Sequence, residues 1–264
     1  MIRFLHDYLP QPILTNLGIW QIHWYGLIMA IAISSAILLS FYIGRKKGMN
    51  KNEIMDTAFW IIIGGLIGAR IYEIFLEWPY YSSHPEKMIA VWEGGLAIHG
   101  ALIGGFIAAI IVFRKKLADL LKYITIFLPG LALGQAIGRW GNYFNQELFG
   151  LPSDLPWSIP ISFANRPTSF SQFQYFHPTF LYESLGNLII AVALFLYVRR
   201  QKYQTSLAIA IYMLSYSLLR FLLEFIKIDK TPMISVLRWP QVASLIMAIL
   251  AVVIIINNHE KKRN

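Results

Sequence analysis

Apolar residues in this chain gather into long runs separated by short clusters of lysine and arginine. Seven runs are long enough to cross ~30 Å of hydrocarbon at about 1.5 Å per residue, with few polar interruptions. They begin near Trp20, Asp56, Leu96, Leu120, Phe180, Leu207 and Gln241, and end near Ile43, Phe75, Phe113, Ile137, Val198, Phe225 and Ile256. The pattern predicts an all-α polytopic membrane protein with about seven transmembrane helices.

Orientation follows from the basic residues. Arg45, Lys46, Lys47 and Lys51, then Arg114, Lys115 and Lys116, then Arg199, Arg200 and Lys202, then Lys261, Lys262 and Arg263 follow alternate spans. The positive-inside rule puts all of these clusters in the cytoplasm, which predicts a cytoplasmic C-terminus and an N-terminus outside. By far the longest outward connection then runs from Arg139 to His177, with Pro152, Pro156, Pro160, Pro167 and Trp157 in it. Connections of that length usually carry function. No tandem repeat, heptad, low-complexity tract or linker divides the sequence, so residues 1–264 are expected to form a single membrane-embedded domain.

Composition agrees: of 264 residues, 56% are hydrophobic and only 14% charged, with a mean hydropathy of +0.52. These values lie far outside the soluble globular range. A net charge of +9 does not indicate a nucleic-acid partner, because the cations sit in clusters between spans rather than over one face. Cysteine is absent, so any thiol chemistry must use a substrate's sulfur. The first residues lack the basic and apolar regions of a signal peptide, and the first hydrophobic run is expected to be retained.

Polar residues inside the spans narrow the chemistry, since an ionised group at mid-helix costs about 2.5–3.5 kcal/mol even on the mildest scale. In the expected topology Tyr25, Arg70, Glu73, His99, Arg139, Asn142, His177, Arg220 and Glu224 all fall in the outer half of the bilayer. A transporter would place such groups around the midplane and show inverted repeats. A one-sided pocket with several arginines and a histidine suits a lipid phosphate better.

Plainer explanations stand beside each motif. Glycines in the segment Gly94–Gly105 fit close helix packing, and His99 within it is either a satisfied core histidine or a functional group. Arg220 and Glu224, four apart, allow an intrahelical ion pair as readily as a pocket. For Arg70 and Glu73 the ion pair is the preferred reading. Tyr25, His23 and Trp24 fit an interfacial aromatic belt, and His177-Pro178 fits a helix start. The string Gly138-Arg139-Trp140-Gly141-Asn142-Tyr143-Phe144-Asn145-Gln146-Glu147-Leu148-Phe149-Gly150 is costly to place at a membrane boundary for packing alone. A re-entrant loop presenting donors to an anion is the better expectation.

That string resembles the signature of bacterial phosphatidylglycerol–prolipoprotein diacylglyceryl transferases, of the form G-R-x-G-N-x-x-N-x-E-x-x-G. Gly94–Gly105 resembles the histidine-glycine segment of that family. His177-Pro178-Thr179-Phe180-Leu181-Tyr182-Glu183 resembles its H-P-T-x-L-Y-E segment, and Arg220-Phe221-Leu222-Leu223-Glu224 its arginine-glutamate helix. The likeness runs from Trp20 to Asp229. Two positions depart from it: Thr125, where relatives often carry aspartate, and Lys227, where they carry arginine. Lysine lacks the planar fork of arginine, which puts any role at Lys227 in doubt.

The resemblance implies transfer of a diacylglyceryl group from phosphatidylglycerol to the lipobox cysteine of a prolipoprotein signal peptide, at the outer face of the bacterial inner membrane. Neither a metal nor another cofactor is expected. His99 is the candidate base, since a thiol of pKa about 8.5 is mostly protonated at neutral pH and a histidine of pKa about 6.5 is a plausible acceptor. Arg139 and Arg220 would hold the phosphate, and Asn142, Glu147, Tyr25 and Glu224 would complete the head-group site.

Overall fold

The structure, a computed structural model, describes residues 2–18, 20–114, 117–200, 204–229 and 231–260. In chain order the helices are α1 (Ile2–Asp7), α2 (Trp24–Lys46), α3 (Lys51–Leu76), α4 (Trp78–Ser83), α5 (Ile98–Phe113), α6 (Leu117–Phe144), α7 (Thr179–Val198), α8 (Thr205–Leu223) and α9 (Trp239–Glu260). Short antiparallel ribbons join β1 (Ile13–Leu17) to β2 (Trp20–His23), β3 (Ile159–Pro160) to β4 (Tyr175–Phe176), and β5 (Met233–Ile234) to β6 (Leu237–Arg238). Helices α2, α3, α6, α7, α8 and α9 are each long and apolar enough to span a membrane. The remaining expected span, α5, has 16 residues and is shorter. The chain is thus an all-α, multi-pass membrane protein. Of the basic residues used for orientation, Lys115, Lys116, Lys202, Lys261, Lys262 and Arg263 lie outside the described residues.

Two compact units are distinguished: Met1–Ser40 with Thr125–Asn264, and Phe41–Ile124. In the second, α3 and α5 lie backbone to backbone. A side chain at Gly104 would run into the Gly64 carbonyl oxygen and come within 2.9 Å of the Gly68 Cα, while Gly68 and Gly100 crowd each other's carbonyls. Small residues every four positions on both helices permit this approach, as in membrane helix pairs generally. Gly104→Val is therefore expected to destabilise the protein by about 1–3 kcal/mol, read from chemical unfolding in detergent. Gly26, whose Cβ would meet nothing within 4 Å, should accept alanine without such a loss.

Gly94 and Gly95 at the start of the histidine-glycine segment do something else. Arg70, buried on α3, donates to the carbonyls of Met88 (2.9 Å), Ala90 (3.3 Å), Gly94 (2.6 Å), Gly95 (2.8 Å) and Lys87. Gly94 and Gly95 adopt φ of 93° and 69°, and a Cβ on Gly95 would sit 2.7 Å from Arg70 Nη1. Positive φ without a side chain is what lets the loop turn these carbonyls inward. The ion pair expected between Arg70 and Glu73 does not form: a guanidinium has five donors, and the carbonyls of residues 87–95 take them. Closing this loop around Arg70 fixes the start of α5, with the Ala97 amide donating to the Ala69 carbonyl at 3.2 Å.

In the first unit, Gly130, Gly134, Gly138 and Gly141 face α2 along one stripe of α6, meeting Ala36, Ala32, Met29 and Tyr25 in turn. Helix α6 therefore runs to Phe144, well past the end expected near Ile137. The string Gly138–Phe144 is helical, not a re-entrant loop, because the helix propensity lost at glycine is offset by close contact with α2. The loop begins only at Asn145, and the long connection is itself folded. Phe149, Ile159, Ile161 and Phe176 pack with Leu5, Tyr143 and Phe180 into a small core. Segment 2–10 is fastened to it: His6 Nδ1 lies 2.9 Å from the Ser158 carbonyl, the His6 ring stacks on Tyr175 at 4.2 Å, and Gln146 Nε2 donates to the Pro10 carbonyl at 2.7 Å.

Candidate active site

Burying a carboxylate requires compensating cations. Glu183, in the second turn of α7, meets this condition with three. Arg139 from the last two turns of α6 pairs with its Oε2, and on Oε1 lie Arg220 Nη1 of α8 at 3.0 Å and Lys227 Nζ at 2.6 Å. Glu224, which caps α8, is fully enclosed and joins the cluster through Arg220 Nη2 at 3.0 Å and Arg238 Nε at 3.1 Å. Four cations thus surround two carboxylates, an excess of two positive charges. The carboxylates and the lysine are buried, whereas Arg139 and Arg220 keep 23% and 21% of their side chains exposed. Anchored on buried carboxylates and partly exposed, the two guanidinium groups are held where their free donors can engage an anion.

A second chain of contacts leads from Arg139 into the loop. Arg139 Nη1 approaches Asn142 Oδ1 at 3.4 Å, and Asn142 Nδ2 donates to Glu147 Oε1 at 2.8 Å. Gln146 and Leu148 take φ of 52° and 54°, turning the chain sharply on either side of Glu147 and returning its carboxylate to the helix end. Tyr25 lies against this helix end because Gly141 has no side chain: a Cβ there would meet its ring at 2.7 Å.

Two anchors hold the loop to the helices. The Leu151 amide donates to the Ile226 carbonyl at 2.8 Å, beside a bridge between Gly150 and Lys227, and the Gly150 amide donates to the His177 carbonyl at 2.9 Å. His177 Nδ1 lies 3.3 Å from the Tyr182 hydroxyl, which also accepts from Trp157 Nε1 at 2.8 Å. Burial lowers the pKa of His177, favouring its neutral form. Its contacts are those of a fastening between loop and α7.

Residues 12–257 match the sequence pattern of the prolipoprotein diacylglyceryl transferase family. The chain belongs to this family. Similar proteins named phosphatidylglycerol–prolipoprotein diacylglyceryl transferase include one from Synechocystis sp., 40% identical over 91% of this chain and 87% of its own length. One from Trichormus variabilis is 41% identical over 89% and 85%, and one from Gloeobacter violaceus is 39% identical over 92% and 91%.

The strings that resemble the prolipoprotein diacylglyceryl transferases divide between the two units. Tyr25, Arg139, Asn142, Glu147, Arg220 and Glu224 come together in the first. His99 belongs to the second, in the first turn of α5, exposed and with its ring 6.0 Å from that of Tyr72. The alternatives for Arg220 merge, since it pairs with Glu224 and with Glu183 of another helix at once. Glu183 closes the H-P-T-x-L-Y-E string, but its part in the cluster is not visible from that string. The available signal was a carboxylate set within an apolar span. Lys227, doubted for its departure from arginine, is buried at the centre of the cluster; burial lowers its pKa and the Glu183 charge opposes this. Thr125, the other departure, is also fully buried.

Proposed function

We propose that this chain transfers the diacylglyceryl group of phosphatidylglycerol to the lipobox cysteine of prolipoprotein signal peptides, forming a thioether and releasing glycerol phosphate. The observation that carries the reading is the pair of half-open arginines anchored on one buried carboxylate, Glu183. In the reaction a thiolate attacks the glycerol carbon, a C–S bond forms, and the C–O bond to phosphorus breaks with both electrons leaving on oxygen. Arg139 and Arg220 bind the phosphodiester and offset the second negative charge that grows as it departs. Asn142, Glu147 and Tyr25 orient the head group, and Glu224 holds Arg220. His99 takes the thiol proton, a role that rests on the chemistry of histidine and on the motif resemblance. The whole chain works as one transferase domain.

Turnover of phosphatidylglycerol and a lipobox peptide by the purified protein tests the reaction itself. Arg139→Lys should lose at least about a hundredfold in turnover while still inserting, because a point charge cannot replace a planar fork that spans carboxylate and phosphate. Full turnover in the lysine variant would remove Arg139 from the phosphate site.

The active site faces the outer leaflet of the bacterial inner membrane, where a lipobox cysteine emerges after its apolar signal segment. Basic clusters support this orientation. A reporter fused after Asn264 should be active only when it requires the cytoplasm, and one inserted near Asp154 only when it requires the outside. The reverse pattern would invert the site.

A further inference from the structure

Arg238 lies in none of the motif strings, and nothing in the proposed reaction uses it. It stands on β6 in a tight hairpin whose turn residue Ser235 has φ of 55°, directly before α9. Its guanidinium donates four hydrogen bonds. Nη1 donates to the carbonyls of Glu224 (3.0 Å) and Lys227 (2.6 Å), Nη2 to that of Asp229, and Nε to Thr231 Oγ1 at 2.9 Å. The same Nε lies 3.1 Å from Glu224 Oε1.

Some of these contacts satisfy carbonyls left free beyond the end of α8, a task any helix end must solve. The ion pair does more. Glu224 is enclosed completely, with Arg220 on one carboxylate oxygen and Arg238 on the other. With Arg220 as its single partner, the buried carboxylate would draw that guanidinium fully onto itself. A second cation behind it shares the Glu224 charge and fixes the carboxylate in place, which leaves Arg220 free to turn charge toward an incoming anion.

We propose that Arg238 is a positioning residue that sets the Arg220 guanidinium for substrate phosphate by holding the Glu224 carboxylate from the far side. This rests on the reading of Arg220 as a phosphate ligand. The relay runs from Arg238 through Glu224 to Arg220, and from there through Glu183 to Arg139 and Lys227.

A double-mutant cycle on the full-length protein in detergent separates this from simple fastening of the hairpin. Arg238→Gln alone should lower kcat/KM for phosphatidylglycerol roughly tenfold or more. In a Glu224→Gln background the same substitution should add less than about threefold, because the charge through which it acts is gone. Equal losses in both backgrounds overturn the proposal, since a fastening role through carbonyls does not depend on the Glu224 charge. Arg238→Lys keeps the ion pair and loses the carbonyl bonds, so it should hold activity within a few fold while melting earlier. A lysine variant as inactive as Arg220→Ala also overturns the proposal, and this arm stands even if Arg238→Gln does not accumulate. Arg220→Ala is measured alongside. Normal turnover there rejects the phosphate reading and the relay together; an inactive Arg220→Ala beside a fully active Arg238→Gln rejects the relay alone.

Discussion

Glu183→Gln is expected to abolish turnover and to destabilise the protein by about 3–5 kcal/mol, the usual cost of removing one partner from a buried ion cluster. The substitution is nearly isosteric, so the loss comes from charge. Arg139, Arg220 and Lys227 would be left facing one another around an amide that can accept from only one or two of them. The arginines cannot shed their protons, and they would separate, taking the cluster apart. A second substitution tells stability from function. Lys227→Met in the Glu183→Gln background removes one of the stranded cations and should recover part of the unfolding free energy, with activity still absent. Unfolding in detergent and turnover with phosphatidylglycerol, followed in parallel, give both readings. A single variant of unchanged stability would show that the cluster is not held by Glu183.

The second large effect concerns His99. If it accepts the thiol proton, His99→Gln should be nearly inactive at neutral pH and should regain activity as pH rises through the thiol pKa of about 8.5. The sign follows from the substrate: above its own pKa the cysteine is already a thiolate and no longer needs a base. Turnover from roughly pH 6.5 to pH 9.5, bracketing the two reference values, would record the recovery. Full activity at neutral pH removes His99 from the reaction. A folded variant that stays inactive throughout assigns it a different task, such as bonding the head group.

Membrane insertion was readable from the apolar runs because hydrocarbon admits few alternatives to a helix. What the runs hid were helix ends. Glycines at 138 and 141 look like breakers along the chain, yet in three dimensions they are the contact face for Met29 and Tyr25, so α6 carries Arg139 and Asn142 on its last turns. Arg139, Asn142, Glu147, Arg220 and Glu224, which the structure brings together, stand out in the sequence through their cost in a membrane and their motifs. Glu183 stands dozens of residues from both Arg139 and Arg220 in sequence, and Lys227, though close to Glu224 along the chain, meets Glu183 only through the fold, so no local spacing shows either contact. Arg70 shows the opposite failure: its neighbour at three positions, Glu73, looked like the partner, while the true acceptors are carbonyls, which leave no mark in side-chain patterns.

Fastening of segment 2–10 to the long loop has a consequence for biogenesis. The bond between His6 and the Ser158 carbonyl spans 152 positions, and that from Gln146 to the Pro10 carbonyl spans 136. Contacts so distant along the chain close late, because the intervening polymer must be ordered first. Segment 2–10 therefore finds its partners only after Gln146 and Ser158 have been made. It waits across the synthesis of α2, α3, α5 and α6, and the small core that it shares with the loop closes only once the loop has been made.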